Sequence, residues 1–323
     1  MAASLNQKHP VVWLEQHSLS GSQRLGLTPS MGGSVATWAL ERTGFAPFDL
    51  FRPWDCISHA DPLQIAFASY PLAPWSNRIS HGGFSVDGKF HTIATNTDLP
   101  YPIHGDAWQQ NWQYQQHDTV SLEMTLESNQ FNGNPHHYRA RQTFKLVDGG
   151  MDQTLTVTHL GDMPLPYGLG QHPWLPRNEL TTVQAQVIGV WLSHPDCLPK
   201  EHTSTFSPSW DLEAGISAAG SLIDNCFTGW DGIARVTWPD QMLQLTLDQT
   251  YLKSIGTAKV SAYSTPPNYL VLFRKATGDH FCLEPVSHPI DAFHLPGQAG
   301  LQMLKKGESL TLALSWRFTS VAT

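Results

Sequence analysis

Over residues 309–318 the chain alternates without a slip. Leu310, Leu312, Leu314, Trp316 and Phe318 fall on one parity, and Ser309, Thr311, Ala313, Ser315 and Arg317 on the other. Successive side chains of a strand point to opposite faces, so a run of this kind buries one face and wets the other only as β-structure. HDTVSLEMTLES repeats the pattern, with Val120, Leu122, Met124 and Leu126 against Ser121, Glu123, Thr125 and Glu127. YRARQTFKLVDGGMDQTLTVTHL carries it through two runs joined by Asp148-Gly149-Gly150, residues that tolerate the positive φ of a hairpin turn. Further strands are predicted around residues 35–40, 183–192, 235–247 and 269–273. A helical period lasts no more than a turn or two, and one short helix is allowed within residues 207–219. No repeat, low-complexity block or linker interrupts the strands, which predicts one continuous domain over residues 1–323. Many one-sided strands bury themselves face to face, so the expected fold is all-β: a large antiparallel β-sandwich with few short helices.

Composition narrows the function classes. Only 14% of the 323 residues are charged and the net charge is −8. Nucleic acid and anionic membrane surfaces need clustered Lys and Arg, so neither is an expected partner. No apolar run has the length of a membrane span and the first twenty residues lack a signal-peptide core, which predicts a cytoplasmic protein. Cys56, Cys197, Cys226 and Cys282 form no CxxC pair and read as free thiols. The 16 histidines include no HExxH, and the adjacent His136 and His137 would point to opposite faces of a strand, so no required metal is expected. GxxxxGK[ST], GxGxxG and GxSxG are all missing, which leaves nucleotide cofactors and a serine-hydrolase elbow without support. No cofactor is expected.

Five segments place a charged or imidazole side chain on a stiff backbone rich in Gly and Pro. They are PWSNRIS (74–80), PIHGDAW (102–108), GLGQHPWLP (168–176), IDNCFTGWDG (223–232) and CLEPVSHPIDAF (282–293). Neutral sugars suit such surroundings, since hydroxyls need fork-like donors and acceptors while the apolar ring faces lie on aromatics. His172 and Glu284 each precede a proline, which biases them to extended backbone. An imidazole and a carboxylate facing one pocket can move protons in both directions near neutral pH. Each residue also has a plainer reading. Asn77-Arg78 suits a surface turn, His104 before Gly105 a turn, and Asp224-Asn225 a cap. Trp108, Trp174 and Trp230 suit packing. Glu284 is more telling, because a carboxylate beside Phe281, Cys282 and Leu283 is costly to bury unless paired or used.

Taken in this order, the five segments resemble the aldose 1-epimerase (galactose mutarotase) family over nearly the whole chain, nearest to a less-characterised bacterial branch. The resemblance implies the family's antiparallel β-sandwich and an isomerase acting on a free sugar, as monomer or homodimer. It implies that His172 is the general acid and Glu284 the general base, with Arg78, His104 and Asp224 holding sugar hydroxyls beside Asn77, Trp174 and Trp108. Gln171-His172-Pro173-Trp174 departs from the family's more usual run at the acid, as do Ser76 before Asn-Arg and Asp106-Ala107-Trp108 after HG. These residues alter the pocket walls, so galactose or glucose preference is not implied. Three rivals share the sequence features. One is a hexose-6-phosphate 1-epimerase, for which Arg177, Arg52 and Lys275 are the candidate phosphate cations beyond Arg78. The others are a non-catalytic carbohydrate-binding protein of the same fold and a glycosidase using Asp106 with Glu284.

Overall fold

The alternating runs pair with one another in the computed structural model, which describes residues 10–54, 67–255, 258–259 and 268–321. Cys56 lies outside the described residues. Strand Glu308–Ser320 runs antiparallel between Gly150–His159 and Leu243–Ile255, inside a ten-stranded sheet. Its Leu310, Leu312, Leu314, Trp316 and Phe318 are all buried. The predicted hairpin closes where Val147 pairs with Gly150, and Gly149 supplies the positive φ of +71°.

An eight-stranded sheet holds the second half of the chain's polar motifs. Its core runs in the order Gly189–Ser193, Ile223–Trp230, Asn268–Arg274, His280–Val286, Gly170–Gln171 and Pro71–Leu72, and Trp174–Pro176 also pairs with His280–Val286. A four-stranded sheet of Val12–Ser18, Gly21–Thr28, Ser34–Glu41 and Phe48–Phe51 completes the main layers. Its inward residues join the same apolar cluster as the large sheets. Trp38 meets Phe51 edge to face at 5.1 Å, and Phe51 meets Trp316 at 5.0 Å. Such pairs add about 0.5–1.5 kcal/mol each beyond the area they bury.

Three sequence expectations need correction. The predicted strand 183–192 is two strands in different sheets, Thr182–Ala185 and Gly189–Ser193. Residues 186–188, with Gln186 and Ile188 exposed, carry the chain from one sheet to the other. The predicted strand 235–247 is a hairpin of Ile233–Trp238 and Leu243–Ile255. Pro239 opens its 3-10 turn and Met242 closes it at φ +48°. The helix allowed in 207–219 does not form. Leu212 O accepts from Ala185 N–H and Ala218 N–H donates to Thr181 O, so these backbone groups bond sideways to neighbouring chain instead of along a helix. Among the described residues the helical turns are Ala107–Gln109, Phe131–Gly133, Pro239–Gln241 and Pro296–Gln298. None is long and apolar enough to cross a membrane.

A buried polar knot ties the loop 102–108 to the ten-stranded sheet. The Asp106 carboxylate accepts from Tyr138 Oη, from the Asn134 amide and, at 3.1 Å, from Gln110 Nε2. Burial raises its pKa to about 6 despite these donors. Deleting an acceptor from such a network leaves several buried donors unpaired. Asp106→Ala is therefore expected to lose roughly 3 kcal/mol of stability in urea unfolding, and a loss below about 1 kcal/mol would contradict the assignment.

Candidate active site

Cross-strand pairing decides which side chains of the eight-stranded sheet share a face. Along one row, Asp224 pairs with Phe273, Phe273 with Cys282, and Cys282 with Trp174. Along the next, Cys226 pairs with Val271 and Val271 with Glu284. On the far side of Glu284 the ladder is interrupted. Trp174 pairs with Cys282 and Gly170 with Val286, so the same register sets His172 opposite Glu284, between Pro173 and Pro285. Neither proline has an N–H to give the ladder. His172 N–H turns instead to Tyr70 O at 3.1 Å, and Trp174 N–H to Ala68 O at 2.8 Å.

The register brings the imidazole and the carboxylate together. His172 Nε2 lies 3.3 Å from Glu284 Oε1, with the side chains only 8% and 3% exposed. The imidazole stacks on Tyr70 at 4.5 Å and meets His104 edge-on at 5.2 Å. His172 Nδ1 and Glu284 Oε2 make no hydrogen bond within the described protein. Burial pushes His172 down to about 3, with the Arg52 charge adding to it. Burial likewise drives Glu284 well above the usual carboxylate range, with Asp224 adding to the effect and Arg78 opposing it. Both directions favour uncharged groups, which leaves one proton shared by the pair. The neutral form and the ion pair differ by a single transfer across 3.3 Å.

Beside the pair, Asn77 holds a positive φ of +56°. Its N–H donates to His104 Nδ1 at 3.0 Å, so a neutral His104 carries its proton on Nε2. Burial keeps His104 well below the usual histidine range, helped by the nearby His172 and Arg78. Asn77 Oδ1 accepts from Arg78 Nη1 at 2.9 Å, and Arg78 Nη2 lies 3.7 Å from Asp224 Oδ2. These residues line a cavity of about 540 Å³ together with Tyr70, Trp108, Trp174, Phe273 and Lys275. That size falls within the range of small-molecule sites. The structure thus brings together all eight residues singled out for the site: His172, Glu284, Arg78, His104, Asp224, Asn77, Trp174 and Trp108.

Other candidates lie elsewhere. Asp106 is spent on the polar knot, so it does not face Glu284 as a second carboxylate. Arg177 donates to the carbonyls of Gly278, Ala218, Lys275 and Thr277. Arg52 lies over the Trp174 ring at 4.2 Å and donates to Phe67 O. Trp230 is buried and donates to Ile233 O. Of the three basic residues considered for a phosphate, the cavity takes Lys275.

Several supporting residues escape a reading of the motifs. His288 Nδ1 faces Pro289 O at 2.8 Å, and its Nε2 accepts from Ser76 N–H at 3.0 Å. Asp291 accepts from Ser80 N–H at 2.9 Å and from its hydroxyl at 2.7 Å. The last motif therefore clamps the first. A Cβ at Gly168 would fall 2.0 Å from the His288 ring, which explains the glycine opening GLGQHPWLP. Asn96 fixes the His104 turn by bonding Ile103 and Gly105. The polar SHPID run signals the clamp, and Phe273 and Lys275 continue the alternation of Val271, whereas Tyr70 carries no local signal.

Comparison with known proteins gives the family and the fold. The family profile described as Aldose 1-epimerase matches residues 27–317. The uncharacterized protein YphB of Escherichia coli (strain K12) is 31% identical over 249 residues, covering 77% of this chain and 82% of that protein. A crystal structure from Escherichia coli K12, assigned provisionally as an aldose 1-epimerase, superposes with a TM-score of 0.82 at 27% identity, over 96% of this chain and 100% of that one. Galactose 1-epimerase from Lactobacillus acidophilus NCFM shares the fold, with a TM-score of 0.73 at 14% identity over 97% of this chain and 95% of that one.

The buried imidazoles set an acid limit on stability. His136 and His172 are held at about 3 and His288 at about 4 by burial. The unfolded chain takes up these protons near pH 6.5 and the native chain does not, so stability is complete above that pH and falls below it. Each group contributes about 1.4 kcal/mol per pH unit. Asp106, raised to about 6, and Glu284, raised well above the usual carboxylate range, act in the opposite sense above their unfolded values and offset two of the three. The melting temperature is expected to fall steadily from pH 7 to pH 5. A flat or rising profile would contradict the burial of neutral histidines.

Proposed function

This chain belongs to the aldose 1-epimerase family, and from that membership and the pocket geometry we propose that it interconverts the α and β anomers of a free aldose. The observation that carries the proposal is the 3.3 Å contact between His172 Nε2 and Glu284 Oε1 at a cavity wall. In this reading Glu284, ionised, takes the proton of the anomeric hydroxyl while His172, as imidazolium, protonates the ring oxygen. The C1–O5 bond breaks and C1 becomes an aldehyde. After rotation about C1–C2, the O5 hydroxyl attacks the other face of C1. His172 takes the O5 proton back and Glu284 returns its own to O1, so the pair ends as it began.

Burial gives this cycle a direction for each half. Ring opening converts an ion pair into two neutral groups, the form that the dry site favours, and closure restores the ion pair. The proton count of the pair never changes. In the same reading Arg78, Asp224, Asn77 and the Nε2–H of His104 hold hydroxyls, while Trp174 and Trp108 wall the sugar ring. Charged Arg78 is already committed to Asn77 and Asp224, which suits hydroxyls better than an anion. A sugar phosphate would then rely on Lys275, short of the fork of donors that phosphate recognition favours.

A positioned proton-transfer group contributes about 10²–10⁴-fold to a rate. Glu284→Gln and His172→Asn are each expected to lower kcat for mutarotation at least 100-fold with little change in KM, measured by polarimetry of a freshly dissolved α-aldose. A loss of under tenfold in either variant would remove that residue from the chemistry.

A further inference from the structure

Against the acid–base pair lies a third group that anomer exchange does not use. Cys282 stands two residues before Glu284 on the strand His280–Val286 and so shares its face. Its sulfur, an imidazole nitrogen of His172 and a carboxylate oxygen of Glu284 all lie within 4.8 Å of one another, and all three residues are buried. We propose that these side chains form a site for a borderline divalent cation, Zn²⁺ above all, which inhibits the enzyme by taking its acid and base together.

The donor set selects the class of ion. Thiolate, imidazole and carboxylate are the ligands that Zn²⁺ accepts, whereas Mg²⁺ and Ca²⁺ favour oxygen alone. The ligands also have capacity to spare. His172 Nδ1 and Glu284 Oε2 have no hydrogen-bond partner within the described protein, and Cys282 is not in a disulfide. Zn–S of about 2.3 Å and Zn–N of about 2.0 Å put tetrahedral ligand atoms roughly 3.5 Å apart. Closing from 4.8 Å therefore asks for about 1 Å of movement, which side-chain rotation supplies. His172 and Glu284 line the cavity, so the ion enters from there and its fourth position faces the sugar site. On binding, the Cys282 thiol and the Glu284 carboxyl release their protons to solvent and the imidazole coordinates as the neutral base. Three protein ligands and one open position make an ion that sugar hydroxyls compete with.

Only the inhibition rests on the proposed anomer exchange; binding does not. The test is titration of the reduced, metal-free full chain with Co²⁺ as a coloured stand-in, followed by displacement with Zn²⁺. One equivalent is expected to give a thiolate-to-cobalt charge-transfer absorption that Cys282→Ser abolishes, and Glu284→Gln should weaken binding at least tenfold. Should Cys282→Ser fail to fold, Glu284→Gln carries the test alone. Zn²⁺ should also inhibit anomer exchange by the wild type, with recovery on adding EDTA and at least tenfold lower sensitivity in Cys282→Ser. No charge-transfer absorption, or the same absorption in Cys282→Ser, overturns the site. Stoichiometric binding that leaves exchange untouched overturns the inhibition. If the wild type exchanges no aldose but the absorption appears and needs Cys282, the activity reading falls and the metal site stands.

Discussion

The site depends on a gap in a β-ladder. Trp174 pairs with Cys282 and Gly170 with Val286, and between those pairs Pro173 and Pro285 bring no N–H, while Leu283 N–H reaches Pro173 O at a long 3.4 Å. A continuous ladder would hold His172 and Glu284 as ordinary cross-strand neighbours. With the ladder open, the His172 segment bonds to Ala68 and Tyr70 on its other side instead. The imidazole comes to rest flat on Tyr70 with Nε2 turned toward the carboxylate. Proline thus acts twice, once by stiffening each residue's backbone and once by removing a donor. The clamp from His288 and Asp291 to Ser76 and Ser80 then sets Asn77 and Arg78 against that pair.

Burial is what gives the pair its chemistry. An exposed imidazole and carboxylate would sit as a weak, screened ion pair. Here desolvation moves His172 down and Glu284 up, so the usual order of their proton affinities reverses and the neutral pair is favoured over the ion pair. The charges nearby are balanced as well. Asp224 pushes Glu284 up while Arg78 pulls it down, and those two residues face each other at 3.7 Å. The cavity therefore sets hydrogen-bond donors and acceptors of opposite charge against one another.

Much of this architecture is legible in the sequence because it is local. Period-two alternation places Leu310 to Phe318 and Val120 to Leu126 inward with no knowledge of the rest of the fold. The site residues were legible for a different reason: each is a polar group on a backbone made stiff by Gly or Pro, in five segments whose order matches one family. What is not legible is non-local. Residues 183–192 look like one strand, yet Thr182–Ala185 pairs with Ile233–Trp238 and Gly189–Ser193 with Ile223–Trp230, partners far along the chain. The segment 207–219 loses its helix because Ala185 and Thr181 offer better partners than its own backbone does. Tyr70, under His172, and Asp106, held by Tyr138 and Asn134, owe their places to chain far away in sequence.

We propose that a buried, proton-sharing His172–Glu284 pair opens and recloses the ring of a free aldose. The most direct test is magnetisation exchange between the α and β anomeric protons of a sugar already at equilibrium, recorded for a panel of neutral aldoses with the wild-type chain. Exchange cross-peaks are expected for at least one aldose, growing in proportion to protein concentration and vanishing in Glu284→Gln. Exchange at the buffer rate for every aldose in the panel would contradict it.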